Sequence, residues 1–375
     1  MVGSQRARWY TAPSLDELVE TLLRKVAERR ASDLIFAAGR PPMIRVDGAL
    51  VQLSPTVMAP ETTADLAKSL AGPRWDELVA KRDLELSLSD GDRARVRVNL
   101  FYQRGTLAGV LRFVPYRIPT LQQLGAPAIC AELADQPHGL VLVTGPSGSG
   151  KSTTLAAMID KINRDRAACI ITVEDPIEYV HTHEKSVVMQ REIGSDAKDF
   201  AGSLRSALRE NPDVILVGEM RDLETMSAAL TMAETGHLVF ATLHTNDASQ
   251  SIDRLVDVFP AGQQNQIRVQ LSQTLLAVIH QQLLPRANGP GRVAAFEIMI
   301  ATPAVRNLIK EGKSNQLRNV IQTGASAGMR SLETDLARLV REGSIAREAA
   351  ALLTLRPGDM AAEPVAAGVG GGRKS

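Results

Sequence analysis

The chain has 375 residues, enough for two or three domains with a sizeable core. Its 44% apolar and 23% charged content is that of a soluble globular protein, and a net charge of +1 with 3% aromatic residues argues against a nucleic-acid partner held by phosphate neutralisation or base stacking. Cys130 and Cys169 lie in apolar runs and read as buried thiols without a CxxC pair for zinc. No apolar run approaches the roughly 18 residues of a membrane span, and no apolar core follows the basic start MVGSQRARWYTAPS, so a cytoplasmic protein is expected.

Residues 1–13 read as a flexible lead-in. Leu15, Leu18, Leu22 and Val26 then recur at helical spacing behind Ser14, a suitable N-cap. The runs SDLIFAAG, PMIRVDGALVQL, DLELSLS, RARVRVNLFY and LAGVLRFVP alternate as strands, with turn signals at Asp47-Gly48 and Asp90-Gly91 and a helical stretch at 61–81. Together they predict a small α+β domain over 14–114 with a mostly antiparallel sheet. PYRIPTLQQLGAPA, 115–128, reads as a linker because its prolines break regular structure.

From 139 the pattern changes. GLVLVTG, ACIITVEDP, DVILVGE and HLVFATLHT are continuous apolar runs alternating with amphipathic helices, the βαβ order of a parallel sheet covered on both faces. A helical region follows, broken by one strand-like run, RVAAFEIMI, and closed by helices near 303–311, 314–322, 331–342 and 347–354. Thr302 and Pro303 form an N-cap and N1 pair. The expected α/β domain spans 129–356, and the Gly-rich tail 357–375 reads as disordered.

GPSGSGKS matches the phosphate-loop pattern G-x-x-x-x-G-K-[ST], and it lies between a strand and a helix, where backbone N–H groups and the helix dipole converge on an anion. Gly145, Ser147, Gly148, Ser149, Gly150, Lys151, Ser152 and Thr153 are the expected binders of ATP, with Lys151 between the β- and γ-phosphates and the Ser152 hydroxyl on Mg²⁺. In a parallel sheet the ligand sits beyond the carboxyl ends of the strands, where Glu174, Asp175, Glu219 and His244 would all project. Glu219 is the candidate base that orients the attacking water. Gly218 stands where many such enzymes carry a magnesium-binding Asp, so Glu174 and Asp175 are candidates to hold the metal or water. His244 can sense the γ-phosphate. His237, at the other strand end next to Gly236, reads as structural, and His181 and His183 as solvated loop residues.

GPSGSGKSTT, ITVEDPIEY, LRENPDVILVGEMRDLET and ETGHLVFATLHT together resemble the secretion and pilus-motor ATPase superfamily over roughly residues 15–355. The lack of a long extra N-terminal domain and of a four-cysteine insert, together with AVRNLI at 304–309, resembles its PilT-type retraction branch, with Val305 in place of isoleucine. That resemblance implies a PAS-like N-terminal domain, a RecA-like ATPase domain and a homohexamer with ATP between subunits. It implies catalytic roles for Glu219 and Glu174, function for both His244 and His237, and Arg97 and Arg112, with Arg104 as a further candidate, as arginines that reach the nucleotide. It further implies an inner-membrane platform partner, a paralogous retraction ATPase, and work at the inner face of the cytoplasmic membrane. An assembly or secretion ATPase, a DNA translocase and a non-hydrolysing nucleotide-binding scaffold are the alternatives.

Overall fold

The computed structural model describes residues 17–29, 31–46, 49–90, 94–115 and 118–353. The lead-in, Ser14, Leu15, the Asp47-Gly48 turn, Gly91 and the Gly-rich tail lie outside the described residues. Two compact units are distinguished, one running to residue 117 and taking in Glu178–Val180, the other holding most of the chain from Ile118 onward.

In the smaller unit, α1 (Glu17–Glu28) precedes β1 (Asp33–Ala37), β2 (Met43–Val46) and β3 (Ala49–Gln52). Then come α2 (Pro60–Ala71), α3 (Trp75–Lys81), β4 (Asp83–Asp90), β5 (Ala94–Gln103) and β6 (Thr106–Pro115). The strands form one antiparallel sheet in the order β3-β2-β1-β6-β5-β4. The buried face of α1 is Val19, Leu22, Leu23 and Val26, while Leu18 is exposed. The apolar stripe therefore lies one residue round from the 15-18-22-26 spacing. These side chains share a core with Leu66 and Leu70 of α2 and with Leu34, Phe36, Leu100 and Leu111 of the sheet.

The larger unit begins with α4 (Ile129–Ala134), β7 (Gly139–Thr144), α5 (Lys151–Asp165), β8 (Cys169–Glu174), β9 (Val187–Glu192) and α6 (Phe200–Ala207). It continues with β10 (Val214–Val217), α7 (Leu223–Glu234), β11 (Leu238–Leu243), α8 (Ala248–Asp257), α9 (Ala261–Thr274), β12 (Leu275–Pro285) and β13 (Arg292–Ile300). It closes with α10 (Pro303–Lys310), α11 (Leu317–Thr323), α12 (Leu332–Arg341) and α13 (Arg347–Ala351). The seven strands run in the order β13-β12-β7-β11-β10-β8-β9, all parallel except the last hairpin partner, β13.

The apolar runs of the central strands have their physical reason in this layering. Leu140, Leu142, Ile171, Val173, Ile215 and Val239 point into one core, and their neighbours Val141, Val143, Ile170, Val214, Leu216 and Phe240 into the other. Both faces are covered, so no position in these strands can be polar without a partner. This is the α/β domain with a parallel sheet expected from the alternating runs, in keeping with the RecA-like fold that the resemblance implied. Leu155, Ile159 and Ile162 face the core together, as their spacing required.

Several elements differ from the sequence reading. LLAVIHQQLLP, 275–285, is strand β12 rather than part of a helical region: its apolar positions also fit helical spacing, and burial on both faces removes the alternation that marks a strand. The mixed segment VVMQRE, 187–192, is edge strand β9, whose exposed Val187 and Met189 follow the edge position. His181 is buried rather than solvated, and burial pushes its imidazole down to about 4. Cys130 is buried and its thiol is pushed up to about 12, whereas Cys169 is only half-buried because the strand's first residue lies at the sheet margin. At α10, Thr302 Oγ1 does accept from the Val305 N–H with Pro303 at N1.

Candidate functional site

The carboxyl ends of β7, β8, β10, β11 and β12 lie along one edge of the larger sheet. The phosphate loop joins β7 to α5. Gly145, Gly148 and Gly150 hold φ of 140°, 77° and 90°, values that a side chain would strain. At Gly145 a Cβ would overlap the carbonyl oxygen of Gln281, and at Gly150 it would come within 2.7 Å of Gln281 Nε2. At Gly148 nothing stands within 4 Å, so the loop opens outward there.

Lys151, the first residue of α5, is buried, and its ammonium donates to the carbonyls of Gly145 and Pro146 at 2.9 and 3.0 Å. Ser149 is also buried, and its Oγ has no hydrogen-bond partner among the described residues. Ser147 and Gly148 are exposed, while Gly150, Ser152 and Thr153 are half-buried. A buried cation, an unpartnered hydroxyl and a glycine cradle at a helix N-terminus are a donor set suited to a polyphosphate.

Two neighbouring strand ends converge on this loop. His244, just beyond β11, lies 3.5 Å from Lys151 Nζ through Nδ1 and 3.3 Å from Glu219 Oε1 through Nε2. Glu219, just beyond β10, also takes Arg221 on its other oxygen at 2.7 Å. Burial alone would raise the Glu219 carboxyl. The Arg221 hydrogen bond and the charges of His244, Arg221 and Lys151 outweigh it and hold the group below the usual carboxylate range. It is therefore ionised at neutral pH and can accept a hydrogen bond from water.

The loops carrying these groups are pinned. Met220 N–H donates to the Thr242 carbonyl, Thr242 Oγ1 donates to the Gly218 carbonyl, and Gly218 N–H donates to the Val173 carbonyl. Asp222 caps α7 through the Thr225 N–H, and Asp247 caps α8 through the Gln250 N–H. The absence of a side chain at 218 also has a local reason: a Cβ there would lie 3.1 Å from Glu174 Cα and 3.2 Å from the Val173 carbonyl oxygen.

Other predicted site residues fall differently. Glu174 is buried at the end of β8, where its Oε1 accepts from Thr172 Oγ1 at 2.6 Å and from Gln190 Nε2 at 3.1 Å. Asp175 is exposed beside it, and its charge acts on Arg221. Among the described residues, no cluster of three or more His, Cys, Asp or Glu side chains is arranged to hold a metal by itself. A magnesium ion bound together with a polyphosphate takes its ligands chiefly from phosphates and water and needs no such protein cluster.

His237 lies at the opposite strand end. Its backbone N–H and its Nδ1 both meet the Met232 carbonyl at the end of α7, and Gly236 takes the left-handed position there. In the smaller unit, Arg97 pairs with Glu85, Arg112 with Asp33 at 3.1 Å, and Arg104 occupies the β5–β6 turn at φ 49°.

The sequence reading missed β12 and with it two residues of the site. His280, opposite Thr144 in register, is fully buried with Nδ1 3.2 Å from Thr144 Oγ1, and burial pushes it down to about 4. Gln281 follows it. A His-Gln-Gln interruption inside an apolar run was the available signal.

The model of the family described as Type II/IV secretion system protein matches residues 12–350. A twitching motility protein of Neisseria gonorrhoeae is 50% identical over 310 residues, covering 82% of this chain and 83% of the relative. The type IV pilus retraction ATPase PilT of Pseudomonas aeruginosa is 48% identical over 331 residues, covering 88% of this chain and 96% of the relative. A crystal structure of the pilus retraction motor PilT with bound ADP superposes with a TM-score of 0.85 at 45% identity, covering 91% of this chain and 98% of that one.

Proposed function

Since the chain belongs to the Type II/IV secretion system protein family, we propose that it is a PilT-type motor ATPase that hydrolyses ATP to withdraw type IV pili and so drives twitching motility. The observation that carries the ATPase chemistry is the line from Lys151 through His244 to Glu219 at the sheet edge. Lys151 and the loop amides bind the phosphates and neutralise their charge. Glu219 holds the attacking water in line with the γ-phosphorus and takes up its proton. His244, between the two, reports a γ-phosphate to the water-binding side by a change of hydrogen-bond partner. Mg²⁺, when bound, draws charge from the phosphate oxygens, and Ser152, with Asp175 as a second candidate ligand, holds it. Glu174 orders water at the neighbouring strand end.

The working form is a homohexamer in which Arg97 and Arg112, with Arg104 as a further candidate, supply positive charge to a nucleotide bound by another subunit. Each would first leave its present partner, Glu85 or Asp33. The ring acts at the inner face of the cytoplasmic membrane on a platform protein of the pilus base, and a paralogous ATPase can share the task. No helix among the described residues is long and apolar enough to cross a membrane, which fits attachment through a partner.

A deletion strain tests the direction of work. Many surface pili with no surface spreading are expected. Few or no pili would instead assign the chain to filament assembly.

A further inference from the structure

The strand that sequence reading missed touches the phosphate loop at three points through one residue. Gln281 is buried, and its Oε1 accepts from Thr154 Oγ1, in the first turn of α5, at 2.8 Å. Its Nε2 sits against Gly150, and its backbone carbonyl closes over Gly145, the two glycines that bracket the loop. The preceding residue, His280, secures the same register through Thr144, the last residue of β7.

We propose that Gln281 is a positioning residue for the nucleotide: it clamps both ends of the phosphate loop so that the loop is pre-shaped for phosphate before it binds. This deepens the ATPase reading and rests on it. A loop with three glycines at positive φ is free to adopt many conformations. Ordering such a loop at the moment of binding weakens affinity, whereas a scaffold that orders it beforehand removes that cost. Gln281 needs both amide atoms for this, since the oxygen takes the Thr154 hydroxyl while the nitrogen faces Gly150. Leu or Met would fill the same space and supply neither.

The test uses the full chain, with Mg-ADP as the probe of binding and ATP turnover as a second readout. Gln281→Met and Thr154→Val should each weaken Mg-ADP binding by about tenfold. The double variant should be no weaker than Gln281→Met alone, because the bond that Thr154→Val removes is already lost in Gln281→Met. Thr154→Ser, which keeps the hydroxyl, should restore affinity. KM for ATP should rise with affinity while kcat changes by less than about threefold, the pattern of lost ground-state positioning. Additive losses, or affinity that stays at the wild-type value in the single variants, would overturn the role of Gln281 while leaving the ATPase reading in place. Wild-type protein that binds no Mg-ADP would overturn both. Thermal melting without nucleotide identifies any variant that is unfolded, and Gln281→Asn, a shortened amide that remains polar, then stands in for Gln281→Met with the same expected loss.

Discussion

His244 Nε2 lies 3.3 Å from Glu219 Oε1, and the other nitrogen of the same ring lies 3.5 Å from the ammonium of Lys151. A carboxylate, an imidazole and an ammonium thus form one line, although they come from positions 219, 244 and 151. Parallel strand order brings them together, since Glu219 and His244 lie just past the carboxyl ends of β10 and β11, and Lys151 opens the helix that the loop after β7 leads into.

Glu219→Gln should leave Mg-ADP affinity near the wild-type value and lower kcat by about 10²–10⁴, because the amide keeps the shape but cannot take a proton from water. Steady-state phosphate release beside a binding titration checks it. Wild-type turnover would remove Glu219 from the mechanism.

Gly145→Ala and Gly148→Ala should differ sharply. Both force a side chain into positive φ, at a cost of about 1–2 kcal/mol. Only the first meets the Gln281 carbonyl, a backbone atom that cannot step aside. Gly145→Ala is therefore expected to lose nucleotide binding and to melt several degrees below Gly148→Ala, which carries the positive-φ cost alone. Equal melting temperatures would refute the close approach.

Glu297 of β13 is buried and accepts the Ala248 N–H at 2.8 Å. Burial, with the nearby charges of Asp247 and Glu333, pushes its carboxyl up from 4.5 to about 7 against the backbone hydrogen bonds from Ala248 and Leu332. The folded value lies above the unfolded one, so this group's contribution is full below pH 4.5 and is lost as pH rises to about 7. Glu297→Gln cannot titrate and should melt with a shallower decline between roughly pH 5 and pH 8 than the wild type. Parallel curves for the two proteins would mean that Glu297 does not titrate in that window.

Asp335 of α12 is fully buried and accepts from the Phe296 N–H, Arg330 and Arg338 at 2.9, 2.7 and 2.9 Å. Asp335→Ala leaves a buried amide and the Arg330 guanidinium without this acceptor and leaves Arg338 with Glu342 alone, and it should lower unfolding free energy by about 3–5 kcal/mol. Urea denaturation reads this directly. A loss under about 1 kcal/mol would show that the cluster is not structural.

Local pattern made the phosphate loop legible, because its glycines, lysine and serine are fixed by short-range geometry between one strand and one helix. The same holds for Glu219 and His244, each marked by the apolar run it ends. The spacing of apolar residues did not announce β12. Burial on both faces erased the period-two alternation of LLAVIHQQLLP, so strand and helix were indistinguishable by spacing. His181 was likewise read from its polar neighbours and is buried by packing those neighbours do not encode. Sequence alone therefore determined which polar residues stand at the sheet edge and the α/β class. Tertiary structure decided which strand stands beside β7, and hence that Gln281 rather than a solvent-facing residue closes over the loop, because strand adjacency is set by long-range packing between segments more than a hundred residues apart.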